Sequence, residues 1–436
     1  MKRPRATALR VAAVTAATAV TAACGISTAS TTSQQIGSPT GPPLTIGTTL
    51  SLTGNFAADG QAFQRGYQLW ASNVNTNGGL LGRPVKLDIL NDNSDPNKSA
   101  AEYRQLVQQD HVDLTLGPFS TLITHQDAPV LASLGYALPE GAGEGDEMFS
   151  PGWHNVFAVS TPVAVEMQPL TSYLLGLKVN RPATAAYAMV NDPFADPPVQ
   201  AAQGILSKGG IRTVYSDAPN GLTQSGSQLT AAITAAANAI ADRNPQVVFL
   251  GTVDVPSVRS FIIQFEKRHF NPEYLIASAG PDQGQAFISA VGVINANGIM
   301  VPNGWFGGFQ NAMSHVMVQD YIAKYGGTAS SINADVAEAY SAGQVLADAV
   351  NGTKGVNNAK IIAYLHQPNL SLATVEGDVR FDAVGRNILA TANSAFIFQW
   401  QPGMTQPGGN FVQVLPNPNG PSAKPAIILK PRWGSG

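Results

Sequence analysis

A short hydrophobic run, a loop and an amphipathic segment open the regular part of the chain. Residues 44–52 are rich in aliphatic and β-branched side chains, which favours a buried strand. A turn-prone loop follows at residues 53–60. After it, apolar residues and one glycine recur at steps of three and four, which predicts one buried face of a helix: Phe63, Gly66, Tyr67, Trp70 and Val74. Gly78 and Gly79 are expected to end this helix. The strand thus leads to a helix start, whose free N–H groups suit a small polar ligand.

Strand-like and helix-like patterns alternate along most of the remaining chain. This order predicts parallel sheets with helices on both faces. The predicted strands are too many for one compact sheet, so we expect an α/β protein of two domains. Residues 161–176 are expected to be mostly helical and residues 426–429 to form a strand. The Pro- and Gly-rich tail from residue 401 is expected to end in little ordered structure.

The N-terminal segment has the pattern of an export signal. Four basic residues without an acid precede residues 11–23, a run of small apolar residues that is too short to span a bilayer. The run ends at Cys24, the only cysteine in the sequence, and resembles a bacterial lipobox in which Thr21 replaces the preferred Leu. Lipidation of Cys24 is therefore expected; the alternative is an ordinary signal with an incidental cysteine. Either case predicts export, and a single cysteine excludes an internal disulfide.

The content of charged residues bears on whether the protein binds nucleic acid. Charged residues are only 12% of the chain, and the formal net charge is -3, or -7 without the four basic residues of the signal. A mildly acidic protein of this kind gives no support for nucleic-acid binding. Residues 24–43 are rich in Ser, Thr, Gly and Pro and are expected to form a flexible tether.

No assembled catalytic or metal-binding motif is visible. The sequence has no HExxH, CxxC, GxSxG or P-loop pattern, and its six histidines lack metal-ligand spacing: His111, His125, His154, His269, His315 and His366. We therefore expect no metal, no cofactor and no enzymatic activity.

Four stretches in consecutive order resemble type-1 extracellular solute-binding proteins, the binders of branched-chain amino acids and amides that serve ABC importers. The resemblance covers residues 44–381. The stretches are residues 51–54 with Gly60, Gly66 and 78–84; residues 117–121; residues 333–347; and residues 377–386.

This resemblance implies two Rossmann-like lobes that are joined by three crossing strands, with a ligand cleft between the lobes. The first lobe would comprise residues 44–160 and 298–376, and the second residues 161–297 and 377–436. The crossings would lie near residues 160–163, 299–302 and 377–381.

The resemblance also implies two principal ligand contacts. Ser120 and Thr121, with Phe119 before them, match a loop that holds a carboxylate or amide oxygen; the alternative is a plain helix cap. Asp282 matches an acidic position that pairs with a ligand ammonium; the alternative is a turn residue, which Pro281-Asp282 favours.

Further candidates follow other predicted strands. Glu140, Gly141 and Ala142 match a segment that offers backbone N–H groups to a carboxylate, although the charge of Glu140 would oppose an acid. Asp59 is expected to face the cleft or to cap the following helix.

Three apolar positions complete the candidate site. Phe194 is expected to cover the ligand or to fold onto its own lobe, and Trp305 to stack on the ligand or to pack in the core. Val253 stands where relatives carry an aromatic residue. With Asp59 and Glu140, it puts branched-chain amino acids in doubt as ligands.

The implied function is capture of a small polar metabolite by hinge closure and delivery to the permease of an ABC importer. The protein would be lipid-anchored on the outer face of the cell membrane. The alternatives are a sensory binding lobe for a surface signalling partner and a secreted enzyme on the same fold.

Overall fold

A computed structural model describes residues 38–149, 152–218, 221–222, 226–403, 410–416 and 426–434. The expected signal segment, Cys24 and most of the expected tether lie outside these residues. Within them, no helix combines the length and the apolar character that crossing a membrane requires.

The predicted alternation of strands and helices is confirmed. The chain begins with β1 (Leu44–Leu50), α1 (Ala57–Thr76), β2 (Val85–Asn91), α2 (Pro96–Gln108), β3 (Leu114–Thr115), α3 (Thr121–Leu134), β4 (Leu138–Glu140) and β5 (Val156–Ala158). It continues with α4 (Gln168–Gly176), β6 (Thr184–Met189), α5 (Asp196–Lys208), β7 (Arg212–Ser216), α6 (Gly226–Arg243), β8 (Val247–Gly251), α7 (Val255–Lys267), β9 (Tyr274–Ala277), α8 (Gly284–Val291), α9 (Val293–Ala296) and β10 (Ile299–Asn303). The last elements are α10 (Ala312–Tyr325), α11 (Ala334–Thr353), α12 (Asn358–Leu365), β11 (Leu372–Thr374), β12 (Gly377–Val379), β13 (Phe396–Gln401) and β14 (Asn410–Leu415).

The first lobe is built on a parallel sheet in the order β2-β1-β3, beside the parallel pair β4-β5. Helices α10, α11 and α12 return from later in the chain and share its core. The predicted face of α1 is buried, and Gly66 brings it against α11: a Cβ at Gly66 would lie 2.4 Å from the carbonyl oxygen of Val336. The close crossing of these two helices therefore depends on the missing side chain.

The second lobe is built on a sheet in the order β14-β13-β10-β9-β8-β6-β7. Strands β6 to β10 run parallel, and β13 and β14 are antiparallel. Alternate residues of β8 enter different cores: Val248 and Leu250 pack with Phe261 of α7, whereas Val247 and Phe249 pack with Val199 of α5. Helices on both faces explain why these strands are hydrophobic throughout.

Helix starts are encoded locally. Asp95 caps α2 by accepting from Asn97 N at 2.8 Å. Asp254 caps α7 by accepting from Ser257 N at 2.6 Å. Asn333 caps α11 by accepting from Asp335 N at 3.0 Å. Each side chain satisfies a backbone N–H that the helix cannot pair internally.

Of the expectations about local structure, the strand at residues 426–429 was wrong, whereas the mostly helical character of residues 161–176 was confirmed. A 3₁₀ turn at Val163–Val165 precedes α4, and Pro169 lies in the first turn of α4, where proline is tolerated. Residues 426–429 form no strand, although they are described, because the side-chain amide of Gln399 takes both backbone groups of Ile428 at 2.8 and 3.0 Å. The tail after residue 401 contains β14, in which Phe411 stacks on Phe398 of β13 with ring centres 5.1 Å apart, and residues 426–434 at its described end form no helix or strand.

Candidate functional site

A cavity lies where loops and helix starts of both lobes meet, beyond the carboxyl ends of strands. It holds about 580 Å³ of space between protein atoms, part of which is open to solvent. Such a crevice is the usual ligand site of open α/β sheets. Its lining consists of Asp59, Phe119, Ser120, Ala142, Glu144, Ser160, Thr161, Glu166, Phe194, Ser278, Ala279, Asp282, Pro302, Asn303, Gly304, Asp335 and Glu338.

The loop before α3 contributes a free hydroxyl. Ser120 is the cap residue of α3, yet its side chain makes no capping hydrogen bond. The residue is 1% exposed, and its Oγ has no hydrogen-bond partner in the described protein. A buried hydroxyl without a partner is costly unless a ligand or water satisfies it. Ser120 is therefore available to a ligand, and the plain-cap alternative lacks its defining hydrogen bond.

Thr121, by contrast, is engaged in joining two loops. Its Oγ1 donates to the carbonyl oxygen of Ala142 at 3.1 Å and accepts from Gly145 N at 3.3 Å. Thr121 does not line the cavity. Its hydroxyl fixes the position of Ala142, which does line it.

Asp59 faces the cavity from the first turn of α1. Phe56, and not Asp59, occupies the cap position, so the capping alternative was wrong. Asp59 is 3% exposed and accepts a hydrogen bond from the side chain of Gln283, at the start of α8 in the second lobe. Asn333 of the first lobe donates to the same amide at 2.9 Å. The two lobes are thus in direct contact beside the cavity, which is a closed arrangement.

Asp282 combines the two roles that the sequence left open. Its Oδ1 accepts from Gly280 N at 2.7 Å, as a turn residue does, and its Oδ2 accepts from Gln283 Nε2 at 3.2 Å. The same side chain lines the cavity. The turn therefore holds the carboxyl group in position without removing it from the ligand site.

Four further carboxyl groups that sequence reasoning missed line the cavity: Glu144, Glu166, Asp335 and Glu338. Asp335 and Glu338 lie one turn apart in α11, where the neighbouring residues are apolar and buried. Glu166 directly follows the apolar run Val163–Val165. Acids within otherwise apolar segments were the available signal, because a buried carboxyl group is rare without a functional or structural partner.

Several carboxyl oxygens of these acids have no hydrogen-bond partner among the described residues. Within the described protein, one oxygen each of Glu144, Glu166 and Asp335 lacks a hydrogen bond, although these residues are 5%, 8% and 6% exposed. Glu140, at the end of β4, is 0% exposed; its Oε2 accepts from Gly143 N, and its Oε1 is unpaired. Glu376 lines a neighbouring cavity and accepts from Ser160 Oγ at 3.3 Å.

Burial raises the pKa of every acid in this group. It raises the pKa of Asp282 to about 6, and burial next to Asp282 raises the pKa of Glu166 to about 8. Burial raises the pKa of Asp59 well above its usual range, and the neighbouring Asp335 and Asp282 raise it further. The pKa values of Glu144 and Glu338 rise well above their usual range for the same two reasons. Desolvation and like charges both favour the neutral acid.

Phe194 lines the cavity from the second lobe. Its backbone N–H donates to Asp192 Oδ1 at 2.9 Å, which fixes the loop after β6. The ring also packs against the apolar core of the first lobe. Of the predicted site residues, the structure thus brings six together around the cavity: Asp59, Phe119, Ser120, Ala142, Phe194 and Asp282.

Four other predicted residues lie behind the lining. Trp305 is 0% exposed, and its Nε1 donates to Ser314 Oγ at 2.9 Å, so the ring packs in the core and does not stack on a ligand. Gly141 lies against α11, where a Cβ would come within 2.8 Å of the Glu338 backbone. Val253 is 2% exposed within the same apolar core as Phe119. Glu140 is enclosed, as described above.

Among the described residues, no group of three or more His, Cys, Asp or Glu side chains is arranged to hold a metal ion.

Comparison with known proteins identifies the family. The family model described as periplasmic binding protein matches residues 43–405, and the chain belongs to this family. The predicted resemblance to type-1 solute-binding proteins and the predicted α/β fold class are confirmed.

Individual relatives are distant. The Leu/Ile/Val-binding protein BraC3 of Rhizobium johnstonii is 26% identical over 178 residues, which are 40% of this chain and 47% of that relative. The chain thus spans about half the length of that relative. The Leu/Ile/Val-binding protein homolog 3 of Brucella melitensis is 21% identical over 360 residues, which are 83% and 92% of the two chains. The crystal structure of the leucine binding protein LivK of Thermotoga maritima has a TM-score of 0.70 and 16% identity, with coverage of 85% and 97%.

Proposed function

We propose that this protein is a substrate-binding protein that captures a small polar metabolite between its lobes and delivers it to an ABC importer. The observation that carries the proposal is the cavity beside the Asp59–Gln283–Asn333 contact, where both lobes supply lining residues. A ligand that touches both lobes stabilises the closed state relative to the open one. The binding role needs no catalytic step.

An amino acid, an amide or a similar nitrogen-containing metabolite is the proposed ligand class. Ser120 offers an unpaired hydroxyl, and Asp282 offers a carboxyl group held at the cavity wall. Together they can hold an oxygen or N–H group and an amine. The names of the relatives support this class, since both include Leu/Ile/Val binding.

We also propose that Cys24 carries a lipid that anchors the protein to the outer face of the cell membrane. The support is the apolar run that ends at this cysteine. Mass spectrometry of the membrane and medium fractions tests this proposal. The unmodified protein should remain in the membrane fraction, whereas Cys24→Ser should be released into the medium. Release of both forms, or retention of both, contradicts the anchor.

A thermal-shift screen of the full chain tests the binding function. The panel contains amino acids, amides, diamines, polyamines, sugars and aromatic acids. A ligand of the closed state raises the melting temperature once its concentration exceeds its Kd. The expected hit is lost in Ser120→Ala and Asp282→Asn and kept in Gln285→Ala, an exposed residue of α8. Hits that survive both lining substitutions would place the site elsewhere.

Measuring the uptake of labelled ligand by cells distinguishes a transport function from a sensory one. If the proposal holds, cells that lack the protein fail to import the labelled ligand, and Asp282→Asn does not restore import. Normal import without the protein, together with tight binding in vitro, would favour the sensory alternative.

A further inference from the structure

We infer that the ligand is a small dication, with two ammonium or guanidinium groups and no carboxylate. The inference rests on the proposed binding function and narrows the proposed ligand class to nitrogen-containing metabolites without a carboxylate. It follows from the lining, from the arrangement of the acids, and from the oxygens that lack partners.

The lining carries acids without a balancing base. Its charged members are six carboxyl groups, and no Lys, Arg or His stands among the described residues that line the cavity: Asp59, Glu144, Glu166, Asp282, Asp335 and Glu338. A buried acid normally stands opposite a cation, a metal or several donors. Here the described residues supply too few donors, so a ligand that brings positive charge and donors complements the lining.

The acids form two adjoining groups. Asp59 interacts electrostatically with Asp335 and Asp282, beside the side chain of Gln283. Glu144 interacts with Glu140, Glu166 and Glu376. Electrostatic interactions join the groups: Glu338 interacts with Asp335 and Glu144, and Glu166 interacts with Asp282. One cationic centre would compensate one group only, whereas two centres on one molecule compensate both.

Unpaired acceptors in the lining show where donors are missing. Among the described residues, Ser120 Oγ finds no partner in a residue that is 1% exposed, and Glu144 Oε2 finds none in a residue that is 5% exposed. Glu166 Oε2 and Asp335 Oδ2 are also unpaired and belong to lining residues. An ammonium group brings three donors and a guanidinium group five, and neither brings an acceptor. An ammonium or guanidinium group therefore complements the unpaired oxygens of the cavity lining.

The acidic lining also disfavours a free amino acid. The ammonium of an amino acid would find partners, but its carboxylate would lie among carboxyl groups without a cation to receive it. Each lining acid that is ionised repels that carboxylate, and burial strengthens the repulsion. The site therefore selects against the α-carboxylate.

Proton release provides an independent signature. In the closed state, burial raises the pKa of the lining acids, and it raises the pKa of Glu166 and of Asp335 to about 8, so these two acids are largely neutral at pH 7. The titratable groups that line the cavity are Asp59 of α1, Glu144 after β4, Glu166 before α4, Asp282 before α8, and Asp335 and Glu338 of α11. Tyr67 of α1, Glu140 at the end of β4 and Glu376 before β12 lie behind or beside this lining. A bound dication stabilises the carboxylates and expels their protons.

Calorimetric titration of the full chain tests the inference with a matched series. The probes are 1,5-diaminopentane, L-lysine, which adds only a carboxylate, 1-aminopentane, which lacks one amine, and leucine. We expect the diamine to bind about 10- to 100-fold more tightly than the other three. Repeating the titration at pH 7 in two buffers of different ionisation heat should show net proton release with the diamine.

Matched substitutions connect affinity to the acids. Glu144→Gln and Glu166→Gln should each weaken diamine binding by about 10-fold or more. Glu266→Gln, an exposed acid of α7, should leave it unchanged. If a lining variant does not fold, the diamine-to-lysine ratio and the proton release of the unmodified chain decide by themselves.

The outcomes separate the two proposals. Tight binding of leucine or another neutral metabolite without binding of any diamine overturns the dication and leaves the binding function intact. Equal affinity for the diamine and 1-aminopentane, or diamine binding without proton release, also overturns it. Absence of binding by every compound of the screen contradicts both proposals.

Discussion

Asn333 and Gln283 connect the two lobes: Asn333 Nδ2 donates to Gln283 Oε1 at 2.9 Å, and the amide nitrogen of Gln283 donates to Asp59. Asn333 also caps α11, so one residue positions both the helix that carries Asp335 and Glu338 and the contact that closes the lobes. Asn333 therefore links the contact that closes the lobes to the two acids of α11 that line the cavity.

Removing the Gln283 side chain should favour the open form. Gln283→Ala removes a hydrogen bond to an acid and one to an amide, and we expect the closed-to-open equilibrium of the ligand-free chain to shift by about 1–3 kcal/mol. The radius of gyration from small-angle X-ray scattering should increase. Gln285→Ala is the control, because Gln285 is an exposed residue of the same helix whose side chain donates to Ser289 Oγ at 2.9 Å. An equal change in both variants would contradict the role of Gln283.

Rising pH should open the ligand-free protein. Burial raises the pKa of Asp282 to about 6 and of Glu166 to about 8, so the closed state binds more protons than the open state. Closure is then favoured at low pH and is lost as the pH rises through these values. We expect the radius of gyration to increase between about pH 5 and about pH 9.

The matched variant for this pH dependence is Glu166→Gln, which cannot ionise. It should flatten the upper part of the transition. A radius that does not depend on pH, or one that decreases with rising pH, would show that closure does not bury ionisable acids.

Ser120→Ala should weaken ligand binding but not folding. The hydroxyl has no hydrogen bond to lose, so the free energy of unfolding should change by less than about 0.5 kcal/mol. Ser99→Ala is the contrasting variant, because Ser99 Oγ contacts Thr49 Oγ1 at 2.5 Å and Asp127 Oδ2 at 2.7 Å in the core. It should cost about 1–3 kcal/mol in urea denaturation. Equal losses in the two variants would mean that Ser120 is structural.

Gly66→Ala should destabilise the packing of α1 on α11. The new Cβ would lie 2.4 Å from the Val336 carbonyl oxygen and 2.7 Å from the Ala339 side chain, and we expect a cost of about 1–3 kcal/mol. Gly204→Ala is the control. Gly204 lies in α5, and a Cβ added there would meet no atom within 4 Å, so this change should stabilise by about 0.5–1 kcal/mol. Urea denaturation of both variants measures the difference.

Trp305→Phe should lower stability without changing ligand affinity. The substitution removes the indole donor and leaves the buried Ser314 hydroxyl without it, at a cost of about 1–3 kcal/mol. A changed Kd with unchanged stability would instead restore the expected stacking role of this residue.

The sequence by itself determined the class of fold and much of its local detail. The spacing of Phe63, Tyr67 and Trp70 defined the buried face of α1, since helical periodicity is a local property. The order of strands and helices identified parallel sheets covered by helices on both faces. The same order, with four short stretches, identified the family. Ser120 and Asp282 became candidates through the resemblance to solute-binding proteins, and both follow predicted strands, whose carboxyl ends meet at one edge of a sheet.

Only the tertiary structure decided the composition of the ligand site. Asp59, Glu144, Glu166 and Asp335 belong to segments far apart in the chain, and nothing local indicates that they share one cavity. Trp305 shows the converse, because the sequence left stacking on a ligand and packing in the core equally open, and long-range packing buried this side chain completely. Periodicity and capping depend on neighbours in sequence, whereas burial and like-charge proximity depend on contacts between lobes. These long-range contacts bring together the acids that line the cavity, from which the ligand class is inferred.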